Sequence, residues 1–369
     1  MSRGELSAVI LAAGEGSRMR SDRPKPLHLL CGRAMLLYVL DALGGCDIDR
    51  AVVVVGHGAE RVTKKLQELG PDMPLDFVEQ HVQRGTGDAT SVGLTAFADD
   101  LPDDAADVIV LPGDTPLLRA ETITALVAEH RAAGSACTIL TAELDDPTGY
   151  GRILRGRDGR VRRIVEQADA TDDERAVTEI NTGIFCFRRS LLAPALRRLS
   201  PENAQGEYYL TDIVAVLSDA GHMVGSFVAP DPSETHGVND RVQLAAAEAR
   251  LRARTNQGWL RKGVTMIDPA TTYIDATVEL ASDVTLFPGV ILQGRTVVGA
   301  HAEIGPGTRL VDCAVGRDSV VDQTVGRDAE IGDGAHVGPF AVLEPGAQVP
   351  AGARTGAFYT ARSTEADDR

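Results

Sequence analysis

Two short segments near the N-terminus combine glycines and cations in a pattern that suits the handling of phosphate groups. The segment LAAGEGSRM starts at Leu11 and contains Gly14, Gly16 and Arg18, and its glycines let the backbone approach a ligand closely. The segment SDRPKPLH holds Lys25 between two prolines, which restrict the backbone around the lysine. A cation held in place can offset charge that develops on phosphorus during nucleotidyl transfer. The alternatives are an ordinary tight turn for the loop and a solvated surface residue for the lysine.

The first segment differs from two better known glycine-rich loops. Met19 stands where the dinucleotide-binding pattern GxGxxG requires its third glycine, and the P-loop pattern GxxxxGK[ST] does not occur in the sequence. Dinucleotide and P-loop chemistry are therefore disfavoured, and phosphate recognition must follow another scheme.

A third segment, VIVLPGDTPLL, places Asp114 just beyond an apolar run that predicts a buried strand. Ligands of open α/β sheets bind at the carboxyl ends of the strands. Because Mg²⁺ keeps several waters and binds substrate phosphate oxygens, one Asp and one amide oxygen from the protein suffice to hold it. The alternative role for Asp114 is a helix N-cap before Leu117.

The elements that must position these residues follow from the apolar pattern. Up to about residue 238, short apolar runs alternate with helical segments, which predicts βαβ units and a mainly parallel sheet. Continuously apolar runs predict strands buried on both faces at 8–11, 51–55, 75–78, 108–111, 136–140 and 184–187. Apolar residues at helical spacing predict helices at 34–43 and 121–133. The composition of 241–260 predicts a long connecting helix.

Beyond residue 260 the aliphatic residues recur with a period of six. The repeat predicts a left-handed parallel β-helix, in which each short strand buries one aliphatic side chain before a tight corner that needs Gly or a small polar residue. Strands of a β-sandwich, the alternative, would show a period of two. The predicted inward-facing residues are Ile274, Leu280, Leu286, Leu292, Val298, Ile304 and Leu310, then Val315, Val320 and Val325 at five-residue steps, then Ile331, Val337, Leu343 and Val349.

The overall composition disfavours several classes of protein. The formal net charge is -16 and no Lys/Arg-rich run occurs, which argues against a nucleic-acid partner. The five cysteines are scattered without a CxxC pair, which argues against a zinc site or a disulfide framework. No apolar run is long enough for a signal peptide or a membrane span. We therefore expect a cytoplasmic protein without a membrane partner.

Taken together, LAAGEGSRM and SDRPKPLH resemble the signature of sugar nucleotidyltransferases, and in particular the uridylyltransferase part of the bacterial bifunctional GlmU family. The resemblance extends from about residue 7 to residue 362. It implies a Rossmann-like α/β nucleotidyltransferase domain followed by the β-helix, with UTP and N-acetylglucosamine 1-phosphate as substrates, Mg²⁺ as cofactor and a homotrimer formed through the β-helix.

The resemblance also implies roles for individual residues. The implied catalytic cations are Arg18 and Lys25, and the implied metal ligands are Asp114 and, in GVND, Asn239. The segment EQHVQRGTGDA resembles the uracil-binding segment, and the implied nucleotide-binding residues are Leu11, Ala13, Gly14, Gln80, Gly85 and Thr86. The segments TGYGRI, IVEQADAT, EINTGI and NAQGEYYLTD resemble the sugar-phosphate pocket, which implies roles for Tyr150, Gly151, Glu166, Asn181, Thr182, Tyr209 and Thr211.

The resemblance breaks down in the β-helix. In VGPFAVLEPG, Glu344 stands where the family has a phosphate-binding arginine, and in GAFYTAR, Ala357 and Arg362 stand at asparagine and lysine positions. The family's acetyltransferase also uses a histidine base placed after the end of this sequence. We therefore expect acetyltransferase activity to be absent and the β-helix to serve as scaffold.

The expected organisation is a nucleotidyltransferase domain over 1–240, a linker helix over 241–262, a left-handed β-helix over 263–362 and a disordered tail over 363–369. Two other functions stay open. One is nucleotidyl transfer to another sugar 1-phosphate or from another nucleotide. The other is a scaffold that binds a sugar nucleotide without turnover.

Overall fold

The structure is a computed structural model that describes residues 4–97 and 105–362. These residues form two compact units. One unit comprises Ala34–Leu244 and the segment that ends at His28, and the other comprises Leu29–Arg33 and the segment that begins at Ala245. The predicted disordered tail lies outside the described residues, and the predicted domain limits stay a prediction. None of the described helices is long and apolar enough to cross a membrane.

The first unit is built on a nine-stranded sheet. Its strands, in chain order, are β1 Leu6–Ala12, β2 Arg50–Val55, β3 Leu75–Glu79, β4 Asp107–Pro112, β5 Cys137–Glu143, β6 Gly151–Arg155, β7 Val161–Val165, β8 Glu179–Arg188 and β9 Val224–Val228. The order across the sheet is β9-β5-β8-β4-β1-β2-β3, with β6 and β7 forming a hairpin beside β8. Strand β1 is central, so the chain first builds outward through β2 and β3 and then crosses to β4 on the other side. Ligands of such sheets bind where the direction of building reverses.

Helices cover both faces of this sheet. The α-helices among the described residues are α1 Met35–Gly44, α2 Ala59–Leu69, α3 Thr86–Leu94, α4 Ala120–Ala133, α5 Asp172–Arg175, α6 Arg189–Leu196, α7 Ile213–Asp219 and α8 Arg241–Arg261. Alternate residues of β1 enter different cores: Ala8 and Ile10 pack with α1, α2 and α4, and Val9 packs with α3, α6 and α7. This two-sided burial explains why the central strands read as continuous apolar runs.

The predicted α/β architecture is confirmed, but the sheet is less parallel than expected. Strand β8 runs antiparallel to both β4 and β5, because residues 144–178 between β5 and β8 form the β6–β7 hairpin and α5 rather than a single crossover helix. The prediction that residues 75–78 are buried on both faces is wrong. They lie in β3 at the edge of the sheet and are only half-buried.

The second unit contains the β-helix, and the six-residue period is confirmed. Short strands pair in parallel into three sheets, one for each side of the coil. The first sheet has Thr265–Met266, Thr285–Leu286, Glu303–Ile304, Val320–Val321 and His336–Val337. The second has Tyr273–Ile274, Ile291–Gln293, Arg309–Val311, Val325–Arg327, Val342–Leu343 and Thr360–Ala361. The third has Glu279–Leu280, Val297–Val298, Ala314–Val315, Glu330–Ile331 and Gln348–Val349.

The predictions that Val320 and Val325 face inward are wrong. Val321 is buried in place of Val320, and Gly326 faces inward while Val325 is 53% exposed. The repeat therefore has steps of five, six, five and five residues from Leu310 to Ile331. An added Cβ on Gly326 would lie 3.0 Å from Leu310 Cδ2, so neighbouring coils fill this interior position and a larger side chain has no space there.

Candidate active site

A cavity of about 500 Å³ opens in the first unit at the carboxyl ends of β1 and β4. All but two of the residues that the resemblance assigns to the site line it. They are Leu11, Ala13, Gly14, Lys25, Gln80, Gly85, Thr86, Asp114, Tyr150, Gly151, Glu166, Asn181, Thr182, Thr211 and Asn239. Parallel strands place their carboxyl ends at one edge of the sheet, which is why residues so far apart in sequence meet here.

Two cations and two oxygen-bearing side chains meet in the cavity. The Lys25 ammonium donates to a carboxylate oxygen of Asp114 and, at 2.8 Å, to Oδ1 of Asn239. Arg18 donates from Nη2 to the same Asn239 oxygen at 3.1 Å. Arg18, one of the two residues outside the cavity wall, therefore still reaches the cluster through Asn239. One carboxylate and one amide oxygen thus converge on a single positive charge.

The glycine loop and the lysine segment pack directly against each other. Gly16 has a φ of +66°, and a Cβ on it would lie 2.7 Å from Cβ of Lys25. A side chain at position 16 would therefore be strained and would also push the lysine away. The glycine is needed to seat Lys25 as well as to admit a ligand.

Two contacts hold the Asp114 loop and the Asn239 loop together. The backbone N–H of Val238 donates to the carbonyl oxygen of Asp114 at 2.8 Å. The buried carboxylate of Glu234 accepts from the backbone N–H of Arg119 at 3.3 Å and from Oγ1 of Thr122 at 2.7 Å, at the start of α4. A carboxylate is stabilised at a helix N-terminus. These bonds fix the backbone on which Asp114 and Asn239 are carried.

The donor set around Lys25 fits a divalent cation of the Mg²⁺ type. Asp114 and Asn239 supply two hard oxygens, and such ions complete their shell with water and substrate oxygens. Within residues 4–97 and 105–362, no cluster of three or more His, Cys, Asp or Glu side chains forms a metal site.

The side of the cavity that holds the predicted nucleotide-binding residues Gln80, Gly85 and Thr86 is formed after β3 and at the start of α3. Gln80 is 5% exposed and donates from Nε2 to Asp88 at 2.7 Å. Gly85 has a φ of +107°, and a Cβ on it would lie 2.7 Å from the carbonyl oxygen of Tyr208. Oγ1 of Thr86 accepts from the backbone N–H of Leu210 at 3.0 Å. These contacts fix a narrow turn that leads into α3.

The opposite side of the cavity is lined by polar groups just before β6, just after β7, on β8 and in the segment before α7. Thr211 donates from Oγ1 to Glu166 at 3.0 Å. The register of β8 against β5 shifts between Asn181 and Ile184, and Oδ1 of Asn181 accepts from the backbone N–H of Gly183 at 3.1 Å. Bulges of this kind re-aim side chains next to functional sites. Burial raises the pKa of Glu166, with smaller contributions from nearby carboxylates.

Tyr209 is the second predicted residue that does not line the cavity. It is 8% exposed, and no described residue bonds to its hydroxyl. The cavity lining also contains residues that were not predicted, among them Gln83, Thr235 and Gly237. Gln83 donates from Nε2 to the carbonyl oxygen of Ala13 at 2.7 Å. This bond joins the glycine loop to the segment EQHVQRGTGDA. The position of Gln83 inside EQHVQRGTGDA was the available sequence signal.

Comparisons with known proteins identify the family of the chain. A family model for the MobA-like NTP transferase domain matches residues 8–216. The bifunctional protein GlmU of Streptomyces coelicolor is 47% identical over 361 residues, which is 97% of this chain and 73% of that protein. The GlmU of Thermobifida fusca is 49% identical over 326 residues, covering 88% of this chain and 67% of that protein. The GlmU of Mycobacterium tuberculosis is 45% identical over 363 residues, covering 98% and 73%. At this identity and coverage, the chain belongs to the GlmU family of nucleotidyltransferases.

Proposed function

We propose that this protein joins UTP to N-acetylglucosamine 1-phosphate to give UDP-N-acetylglucosamine and pyrophosphate. The observation that carries the proposal is the cluster of Lys25, Arg18, Asp114 and Asn239. It combines cations and hard oxygens in a cavity that has a glutamine on one wall and a carboxylate with hydroxyl and amide groups on another. Such a cavity offers separate places for a base, a polyphosphate and a sugar.

The reaction is an in-line displacement at the α-phosphorus of UTP. An oxygen of the sugar phosphate forms the new bond to phosphorus, the bond to the β-phosphate bridging oxygen breaks, and pyrophosphate leaves. Lys25 and Arg18 offset the negative charge on the α-phosphoryl group and on the leaving group. Asp114 and Asn239 would hold Mg²⁺, which when bound neutralises phosphate charge and orients the reacting oxygens.

The sugar is selected on the opposite wall. Glu166 accepts hydrogen bonds from sugar hydroxyls, Asn181 bonds the acetamido group, and Tyr150, Gly151, Thr182 and Thr211 shape the pocket around them. Leu11, Ala13, Gly14, Gln80, Gly85 and Thr86 bind the nucleotide. Carboxylate and amide groups suit these tasks because they form strong, directional hydrogen bonds when partly buried.

The deciding experiment measures pyrophosphate release with UTP and Mg²⁺ and compares three acceptors. We expect N-acetylglucosamine 1-phosphate to be used far faster than glucosamine 1-phosphate or glucose 1-phosphate. A preference for glucose 1-phosphate would overturn the sugar assignment. Tight binding of the sugar nucleotide without pyrophosphate release from any acceptor would favour a scaffold.

The β-helix residues support a further part of the proposal, the absence of acetyltransferase activity. Glu344 carries a negative charge at the position of the family's phosphate-binding arginine. Its nearest described cation, Arg362, lies at the family's lysine position with Nε 3.6 Å from the Glu344 carboxylate. The two charges offset each other, so little net positive charge is left for an anionic ligand. Transfer of acetyl from acetyl-CoA to glucosamine 1-phosphate by the purified protein would refute this.

The expected assembly is a homotrimer through the β-helix, in the cytoplasm. Phe340 and Phe358 lie at equivalent corners of successive coils with rings 5.3 Å apart, and they are 50% and 76% exposed. Val325 and Val342 add further exposed apolar surface in the second sheet. Exposed apolar patches of this type mark interaction surfaces, which supports association of the β-helices.

A further inference from the structure

The carboxamide of Gln80 is bonded to Asp88, a residue that does not line the cavity. Nε2 of Gln80 donates to Oδ2 of Asp88 at 2.7 Å and lies 3.5 Å from the carbonyl oxygen of Gly85. The backbone N–H of Gln80 donates to the carbonyl oxygen of Val55 at 2.8 Å. Gln80 lines the cavity, whereas Asp88 is half-buried behind it and is not part of the wall. The backbone N–H and the NH₂ group of Gln80 are therefore both held by hydrogen bonds.

The chemistry of Asp88 decides which way the carboxamide faces. A carboxamide has one end that donates and one that accepts, but a carboxylate can only accept. The NH₂ group of Gln80 must therefore face Asp88, and Oε1 is the atom left for a ligand. No residue in the described ranges donates a hydrogen bond to Oε1. The cavity thus presents an acceptor at this point.

Asp88 is itself well placed to keep this orientation. It lies in the first turn of α3, where the helix dipole stabilises negative charge. A segment distant in sequence holds the start of α3, because the backbone N–H of Gly87 donates to the carbonyl oxygen of Tyr208 at 2.8 Å. The carboxylate is therefore held in the position that the glutamine requires before any nucleotide binds.

We propose that Asp88 is a positioning residue that selects uracil over cytosine by fixing Gln80 as a hydrogen-bond acceptor. The inference rests on the proposed function, in which Gln80 meets the base. Uracil carries a hydrogen on N3 and can donate to Oε1. Cytosine has a lone pair on N3, and that lone pair faces the oxygen of Gln80 without a proton between them. A buried polar group left unpaired costs far more than a good hydrogen bond gains.

The test compares UTP and CTP in the full-length protein, using dissociation constants from calorimetry and kcat/KM from pyrophosphate release. Asp88→Asn offers either a donor or an acceptor to Gln80, so it lets the carboxamide rotate. We expect the preference for UTP over CTP to fall about tenfold, which corresponds to about 1.4 kcal/mol, while kcat for UTP stays close to wild type. Glu60→Gln, in the first turn of α2, is the matched control and should leave the preference unchanged.

A second background separates positioning from other effects. In Gln80→Ala, Asp88→Asn should cause no additional loss of preference, because Asp88 acts through Gln80. An unchanged preference in Asp88→Asn, or an equal further loss in the Gln80→Ala background, would overturn the proposal. The binding measurement distinguishes this failure from that of the proposed function. A wild-type protein that prefers UTP in binding but releases no pyrophosphate refutes the reaction alone. Equal affinity of the wild type for UTP and CTP refutes the selection by Asp88.

Discussion

The backbone N–H of Val238 donates to the carbonyl oxygen of Asp114 at 2.8 Å. This bond is one of two contacts that join the loop after a central strand to a loop near the start of the long helix α8. It brings the side chains of Asp114 and Asn239 to the same ammonium group, that of Lys25. The candidate metal site therefore depends on backbone pairing between loops, as well as on the two side chains.

Lys25 should be essential for turnover. Lys25→Ala removes a preorganised positive charge from the cluster, and we expect kcat for pyrophosphate release to fall by about 100-fold or more. Circular dichroism should show an intact fold, because Lys25 lies at the start of a 3-10 helix of three residues, outside the sheet and the α-helices. Lys64→Ala, on the exposed face of α2, is the control and should be fully active. Near-normal turnover of Lys25→Ala would remove this residue from the mechanism.

Glu234 should control the metal requirement from a distance. Glu234→Gln replaces the anion that accepts from Arg119 and Thr122 with a group that also donates, so the Asn239 loop should lose its anchor. We expect the Mg²⁺ concentration for half-maximal activity to rise about tenfold, the lower end of the range for losing a group that orients metal ligands. Mn²⁺ binding followed by electron paramagnetic resonance should weaken in parallel.

The control for this experiment is Asp231→Asn. Asp231 lies 3.4 Å from the same Arg119 but is exposed, and Asn keeps the oxygen that caps Ser233. Its metal requirement should match that of the wild type. Equal metal requirements in Glu234→Gln and the wild type would show that the loop needs no such anchor.

Glu166 should lower the free energy of unfolding near neutral pH and contribute to binding of the sugar phosphate. Burial raises its pKa in the folded state, so the stability linked to its protonation is complete below the unfolded value of about 4.3 and is lost as the pH rises through the folded pKa. Glu166→Gln should therefore raise Tm at neutral pH, and the difference should disappear near pH 4. The KM for the sugar phosphate should increase about tenfold, because an ionic hydrogen bond is lost. A lower Tm at neutral pH would contradict the argument.

Asp107 should stabilise the first unit through its bonds to α4. Its carboxylate lies 3.4 Å from Nε2 of His130 and 2.7 Å from Nε of Arg131. Burial alone would raise the pKa of Asp107, but the bonds from these two residues outweigh it and the pKa is lowered. The resulting stability is present above the unfolded pKa and is lost as the pH falls through the lowered folded value.

Asp107→Asn should therefore reduce the free energy of unfolding by about 2 kcal/mol at neutral pH, as measured by urea denaturation. The gap to the wild type should shrink only in acid. Asp76→Asn, which breaks a partly exposed pair with Arg50, is the control and should cost less than about 1 kcal/mol. Coincident urea midpoints for Asp107→Asn and the wild type would rule out the stabilising role.

Phe340 and Phe358 should hold the proposed trimer together. Both have a φ of 61°, a conformation that Asn tolerates better than Phe. The double variant Phe340→Asn/Phe358→Asn should therefore keep the coil but dissociate, with light scattering showing the mass of one chain in place of three. Val297→Thr, at an exposed position of the third sheet, should leave the mass unchanged. A double variant that keeps the wild-type mass would place the interface elsewhere.

The sequence alone determined the two kinds of architecture and most of the cavity wall. Apolar runs and six-residue spacing record which side chains are buried, and burial is a local property of the pattern. The position of Asp114 after an apolar run predicted its place at the carboxyl edge of the sheet, and the resemblance supplied the remaining residues. Arg18 and Tyr209 show the limit of this transfer, because neither lies in the wall.

The tertiary structure decided what depends on pairing between distant segments. The inward register at Val321 and Gly326 follows from stacking on neighbouring coils, and the local spacing around Val320 and Val325 contains no information about that stacking. The antiparallel direction of β8 depends on a hairpin inserted before it. Likewise, Asp88 and Glu234 read as ordinary acidic residues in the sequence. They gain their roles only when the fold places a carboxamide or a helix N-terminus against them, because a hydrogen bond requires a partner that the local sequence does not specify.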